Sequence, residues 1–234
     1  MFVGHYGPAL GLKPLCKPLP LWLLFIAVQW LDVGWALLVL AGVEKLRIVP
    51  GFTQGSALDL YYMPYTHGLA GALALSLLLG AIVAGCMHGA RLRAFLIVAA
   101  ASFSHWLLDL LVHVPDLPIY DDTLKVGLGL WRHLWISLPL ELLFLVIGAW
   151  LYARYVPTQR AHGDRWLWLF VAAMAVLEIY NEFAPAPAEP AAMAATALVA
   201  YGVLALLAGL VDRARGTTSA DRFSDNDAVR TDRH

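Results

Sequence analysis

The chain has 234 residues, of which 60% are hydrophobic and only 14% charged, and its formal net charge is -1. A soluble domain carries roughly 25% charged residues, so this composition excludes an ordinary water-soluble globule. The absence of any basic cluster also excludes nucleic acid as a partner.

A membrane-spanning helix needs about 20 mostly apolar residues. Six such runs occur in chain order, at 21–43, 69–87, 94–114, 128–151, 166–183 and 191–211. They predict an all-α polytopic bundle in a lipid bilayer. The first run is too long for the apolar stretch of a cleavable signal peptide and carries Gln29 and Asp32, so it reads as a retained span. The loop 44–66 is rich in glycine and aromatics and is expected to pack over one mouth of the bundle. The fifth run carries Glu178 and Glu182, and the sixth is alanine-rich; the proline-rich stretch 184–190 between them reads as a stiff connector. Trp22, Tyr62, Trp131, Tyr152 and Trp166 fall near proposed span ends, as interfacial aromatics do. Residues 1–212 read as a single transmembrane domain and 213–234, rich in Arg and Asp, as a disordered tail. The two cysteines, Cys16 and Cys86, lack metal spacing and read as single thiols.

Lys13, Lys17, Arg91, Arg93, Arg154, Arg160, Arg165, Arg213 and Arg215 fall on one side of this topology, against Lys45, Arg47, Lys125 and Arg132 on the other. The positive-inside rule then places both termini in the cytoplasm. No internal repeat supports an inverted-repeat transporter.

The informative feature is Ser104-His105-x3-Asp109-x3-His113 inside the third run. Each step of four advances only about 40° around a helix, so the three side chains form one stripe. An Asp at mid-span costs roughly 3 kcal/mol even on the lenient insertion scale, and a chain that keeps one there generally uses it. At about 1.5 Å rise per residue, His113 lies about 12 Å beyond His105, too far to share an ion with it, whereas His105 and Asp109 are close enough. The remaining ligands must come from other spans. His67, at the start of the second, and Asp32, in the first, lie at suitable depth. Imidazole and carboxylate ligands suit a divalent metal, Zn²⁺ first, with Mn²⁺ and Fe²⁺ also compatible. His113 is then a supporting group, an acid/base or a ligand to a second ion, and Glu141 in the fourth span is a further proton carrier.

Other readings stay open. The stripe could hydrogen-bond helices together or relay protons or ions. Asp32 shares a face with Gln29 and could serve helix packing, and His67 could be an interfacial residue. The stripe His133, Ser137, Glu141, interrupted by Pro139, could be structural or line a pocket. Glu178, Asn181 and Glu182 could snorkel to water, and Trp30 and Trp35 could simply pack.

Gly4-His5, Leu31-Asp32, Thr66-His67 and Ser104-His105-x3-Asp109, in that order, resemble the membrane-bound, metal-dependent hydrolase-like family described in bacteria as inner-membrane-associated. The resemblance covers about residues 1–120 and implies His5, Asp32, His67, His105 and Asp109 as metal-site residues. The chain departs from the family pattern in Gln29-Trp30-Leu31-Asp32-Val33-Gly34, which lacks a proline and a second Asp, and in Met63-Pro64-Tyr65-Thr66-His67, which lacks an Arg. Glu44, Asp59 or His113 would have to compensate for the missing ligand. His5 also falls on the cytoplasmic side of this topology unless residues 1–20 re-enter the membrane.

The resemblance implies metal-assisted hydrolysis, and an outward-facing cavity favours a small or lipid-like substrate such as a phosphate ester. The rivals are a proton- or metal-coupled transporter and a non-enzymatic scaffold. No Gly-rich phosphate loop, nucleophile elbow or haem motif is present.

Overall fold

The computed structural model describes residues 1–217. A 3-10 turn, Val3–His5, leads into α1 (Tyr6–Leu12) and a second turn, Lys13–Cys16. There follow α2 (Leu21–Val28), α3 (Trp30–Leu40), a hairpin of β1 (Lys45–Ile48) and β2 (Leu58–Tyr62), and α4 (Leu69–Cys86). The chain continues with α5 (Arg91–Val112), α6 (Leu134–Tyr155), α7 (Gly163–Phe183) and α8 (Pro190–Ala214). Helices α4 to α8 are each long and apolar enough to cross a membrane. Helices α2 and α3 are so only when taken together, as a pair bent by 54° that makes either a broken sixth span or a re-entrant loop.

The bundle is an all-α polytopic membrane protein, and its polarity is arranged for lipid. Leu96, Leu107, Leu143, Val146, Trp150, Val176 and Leu206 are exposed on the outside, while His5, Gln29, His67, His105, Asp109, Glu141 and Glu178 are buried. Lipid chains can cover the former but give the latter no hydrogen bonds, so the polar side chains must satisfy one another inside.

Three departures from the linear reading position the functional residues. First, the span over 21–43 is broken. Gln29 leaves helical geometry (φ -102°, ψ 8°), and the Val28 carbonyl accepts a hydrogen bond from His105 Nδ1 at 2.7 Å. Second, residues 1–16 enter the bundle. Val3, His5, Tyr6, Ala9 and Leu10 are fully buried, and Met1 sits beside Asp109 of α5 rather than at the Lys13 end of the molecule. Third, the loop 44–66 contains the antiparallel hairpin, paired Lys45 to Tyr62, Arg47 to Asp59 and Ile48 to Leu58. Leu46 and Leu60 point down onto Trp35, Met63 and Trp131. Helix α6 starts six residues later than its apolar run because residues 128 and 129 serve α5. Leu128 N donates to Leu110 O and Gly129 N to His113 O, satisfying carbonyls at the end of that helix.

The apolar core divides in two. One cluster fills the end where the turn Lys13–Cys16 lies, with Leu24, Phe25, Val28, Val98, Leu145, Phe170 and Leu204 among its members. A smaller one, with Trp35, Leu60, Met63, Val112 and Trp131, lies beneath the hairpin. The first end is closed by a buried polar knot. Asp212 accepts from Lys13 Nζ (3.3 Å), Leu21 N (3.0 Å) and Tyr152 OH (2.7 Å), and also from the Thr217 hydroxyl. Arg215 pairs with Asp164 and lies 4.5 Å over the Tyr152 ring. Residues 213–217 therefore belong to the packed unit rather than to a tail; the rest of the expected tail lies outside the described residues. Cys16 and Cys86 are free thiols.

Candidate metal centre

Helix α5 carries the stripe that organises the centre. All three of its side chains are buried, and Asp109 lies between the two histidines. His105 Nε2 is 3.0 Å from Asp109 Oδ2, and His113 Nε2 is 3.6 Å from Oδ1. The two histidines therefore address different oxygens of one carboxylate, as the rise of the helix requires.

The other spans complete two lobes. On the Oδ2 side, His67 Nε2 stands 3.6 Å from Asp109. Asp32 Oδ1 is 3.3 Å from His67 Nε2 and 3.4 Å from His105 Nε2. On the Oδ1 side, His5 Nε2 lies at 3.2 Å, and its ring stacks on His105 with centroids 3.8 Å apart. Ligand-type atoms of Asp32, His67 and His105 lie within 4.8 Å of one another, as do those of His5, His105 and Asp109. The residues named from the sequence in the first half of the chain thus converge on one carboxylate.

Groups outside this circle fix which nitrogen faces inward. His105 Nδ1 can only donate to the Val28 carbonyl. His67 Nδ1 lies 2.9 Å from Thr66 Oγ1, which itself donates to Glu44 Oε2 at 2.6 Å, so the ring is the donor there. His113 Nδ1 lies 2.9 Å from Asp116 Oδ1. With one proton on each ring, all three Nε2 atoms then turn lone pairs towards Asp109 or Asp32. Tethering the far ring nitrogen to an acceptor is how proteins orient metal-binding imidazoles. Tyr201 OH holds the outer oxygen of Asp32 at 2.6 Å, and Asp32 sits in the first turn of α3, where the helix dipole favours a carboxylate.

Both nitrogens of His5 and Nε2 of His105 are buried without a hydrogen-bond partner. An uncharged His5 carries one N–H and one lone pair, so it can turn a single lone pair into the cluster. Lone pairs of imidazole and carboxylate facing one another at about 3 Å repel unless a proton or a cation lies between them. The Met1 α-ammonium is 2.9 Å from Asp109 Oδ1. Burial works against its charge, but Asp109 and Glu141 outweigh burial and raise its pKa. That oxygen is therefore already paired with a positive charge, and Oδ2 is the one left facing imidazole nitrogens. The donor set fits a divalent cation of the Zn²⁺ class.

A cavity of about 670 Å³ leads from Asp32, His67, Asp109 and His113 to the loop following β1, to the 184–187 connector and to α8. Its walls include Trp35, Leu60, Met63, Trp131, Leu177, Met193 and Tyr201, and the described lining contains no Lys or Arg. Glu141, Glu178 and Glu182 line the same cavity and form a carboxylate cluster, with Asn181 beside them.

Two compensating residues foreseen from the sequence sit elsewhere. Glu44 supports His67 through Thr66, and Asp59 pairs with the exposed Arg47 on the hairpin. Glu141 accepts backbone hydrogen bonds from Phe2 and Gly4. His133 ends the 3-10 turn before α6 and is exposed. Asp116 and Tyr201 were missed by the sequence reading. The spacing of Asp116, three residues after His113, is a usable signal; Tyr201 gives none, because nothing local ties α8 to α3.

No family model, no curated protein and no solved structure matches the chain.

Proposed function

We propose that the protein is an integral-membrane, metal-dependent hydrolase whose substrate enters from the hairpin end. The observation that carries this reading is the convergence of tethered imidazole lone pairs on Asp109 and Asp32. Asp32, His67, His105 and Asp109 Oδ2 would hold one cation. His5 and His113 flank the second oxygen of Asp109, where another would be held. A divalent cation bound there supplies Lewis acidity and makes water more acidic near neutral pH. With only the first cation bound, His113, tied to Asp116 and lining the cavity, is placed to take or give a proton at Nε2.

The cavity walls are largely apolar with carboxylates at the deep end, which suits an amphiphile. A lipid-like or phosphate ester fits, with any anionic group paired by the cation, because the described walls offer no Lys or Arg and the Met1 ammonium is taken up by Asp109. The excess of Lys and Arg at the end containing Lys13, Arg91, Arg154 and Arg215 makes that end cytoplasmic and the hairpin end non-cytoplasmic, in a bacterial inner membrane.

Hydrolysis is favoured over ion passage by what lies beneath the centre. Val3, Tyr6, Leu24, Phe25, Val28 and Val98 pack into a continuous apolar plug between it and the cytoplasmic end.

The test is elemental analysis of the purified full chain beside turnover assays on lipid esters and phosphodiesters. The wild type is expected to carry stoichiometric metal and to lose both metal and turnover on His105→Ala or Asp109→Ala. A wild type without metal, or variants with unchanged metal content, overturns the reading. Ion flux into proteoliposomes without ester turnover would replace it with the transporter.

A further inference from the structure

Resting on the metal-centre reading, we infer that Glu141 and Glu178 are positioning residues that seat the N-terminal segment on the bundle and so deliver His5 to Asp109. The first N–H groups of any helix lack partners within it, and a buried unpaired N–H costs free energy that water cannot recover here. The segment starts inside the protein, with its leading turn buried. Its donors are met by carboxylates from two different helices. Phe2 N donates to Glu141 Oε2 at 2.7 Å and Gly4 N to the same oxygen at 3.3 Å, both towards α6. Val3 N donates to Glu178 Oε2 of α7 at 3.4 Å. His5 follows directly, so the carboxylates fix its register.

The backbone confirms that the seat is tight. A side chain at Gly7 would meet the Phe144 carbonyl at 2.4 Å, and one at Gly148 would meet the Gly7 carbonyl at 2.1 Å. The segment and α6 therefore touch main chain to main chain, and a shift of the segment moves His5 with it.

This assignment differs from proton transfer by Glu141, because its Oε2 is engaged by two main-chain N–H groups. Two measurements on the full chain separate the roles. In hydrogen–deuterium exchange, Glu141→Ala is expected to accelerate exchange at residues 2–5, with Glu141→Gln, which keeps an acceptor oxygen, close to wild type. In Zn²⁺ titration, Glu141→Ala is expected to weaken binding about 10–100-fold, the usual cost of losing a supporting group. In a His5→Ala background the same substitution is expected to add nothing, since it acts through His5. Glu178→Ala is expected to act in the same direction and more weakly, its hydrogen bond being longer. The inference is overturned by unchanged exchange in Glu141→Ala, or by a full additional loss of Zn²⁺ affinity in the His5→Ala background. It is equally overturned if Glu141→Ala abolishes turnover with exchange and affinity intact, the signature of a proton carrier. A wild type that binds no Zn²⁺ defeats the hydrolase reading, while the exchange data still decide the seating.

Discussion

Two buried aspartates, one at each end of the bundle, are surrounded in opposite ways. Asp212 meets only donors: an ammonium, a main-chain N–H and the hydroxyls of Tyr152 and Thr217. Asp109 accepts from the Met1 ammonium on Oδ1 and otherwise meets imidazole nitrogens, those of His105 and His113 having their Nδ1 protons turned elsewhere. The first arrangement is finished and holds Lys13, α6 and α8 together. The second is half met: the Met1 ammonium pairs with Oδ1, while Oδ2 faces the imidazoles of His67 and His105. Burial and charge are the same for both residues, so neither property identifies function; the direction of the neighbouring lone pairs does.

The contrast is broken or sharpened by removing each carboxylate. The largest stability effect is expected from Asp212→Ala, which leaves Lys13 buried beside an empty position and costs about 3–5 kcal/mol, as breaking a buried pair does. Folded Asp212→Ala protein is expected to keep its metal per chain. In metal-free protein, Asp109→Asn is expected to cost less than Asp212→Ala, because the amide oxygen still accepts from the Met1 ammonium and the change removes charge facing the imidazole lone pairs. Thermal unfolding with and without chelator checks both, and a larger metal-free loss at Asp109 than at Asp212 would sink the comparison.

Intermediate effects are expected from the tethers. Asp116→Ala, Thr66→Ala and Tyr201→Phe should each lower Zn²⁺ affinity about 10–100-fold with little change in metal-free melting, as competition titration would reveal. The smallest effect is expected from Ser102→Ala, which removes the Ser76 to Ser102 hydrogen bond between α4 and α5, 2.9 Å long. Such bonds between membrane helices average about 0.6 kcal/mol, and the change should leave metal content untouched.

Much of this was legible in the chain. The apolar runs predict the spans because bilayer thickness imposes one length on every helix, and the His105, Asp109, His113 stripe follows from helical pitch. What stayed hidden depends on contacts distant in sequence. The break at Gln29 leaves the Val28 carbonyl to His105, and no local pattern announces that exchange. The entry of residues 1–16 was also unreadable from apolar length, since α1 is far too short for a span. The spacing of Gly4, Gly7 and Gly11 was its signal, marking a face able to approach another backbone. Lys13 was placed correctly at the Asp212 end, but Met1 was not, because the segment runs inward from there. The hairpin was missed because its strands are short and flanked by glycine.

The seat of the N-terminal segment also has a bearing on biosynthesis. Phe2 and Val3 find their partners 139 and 175 positions further on. Both residues must therefore wait until α6 and α7 have been threaded into the bilayer before they can dock. Contacts of such long range form late, after the intervening chain has closed its own loops. The cluster around Asp109 is thus completed late, when the segment brings His5 to it.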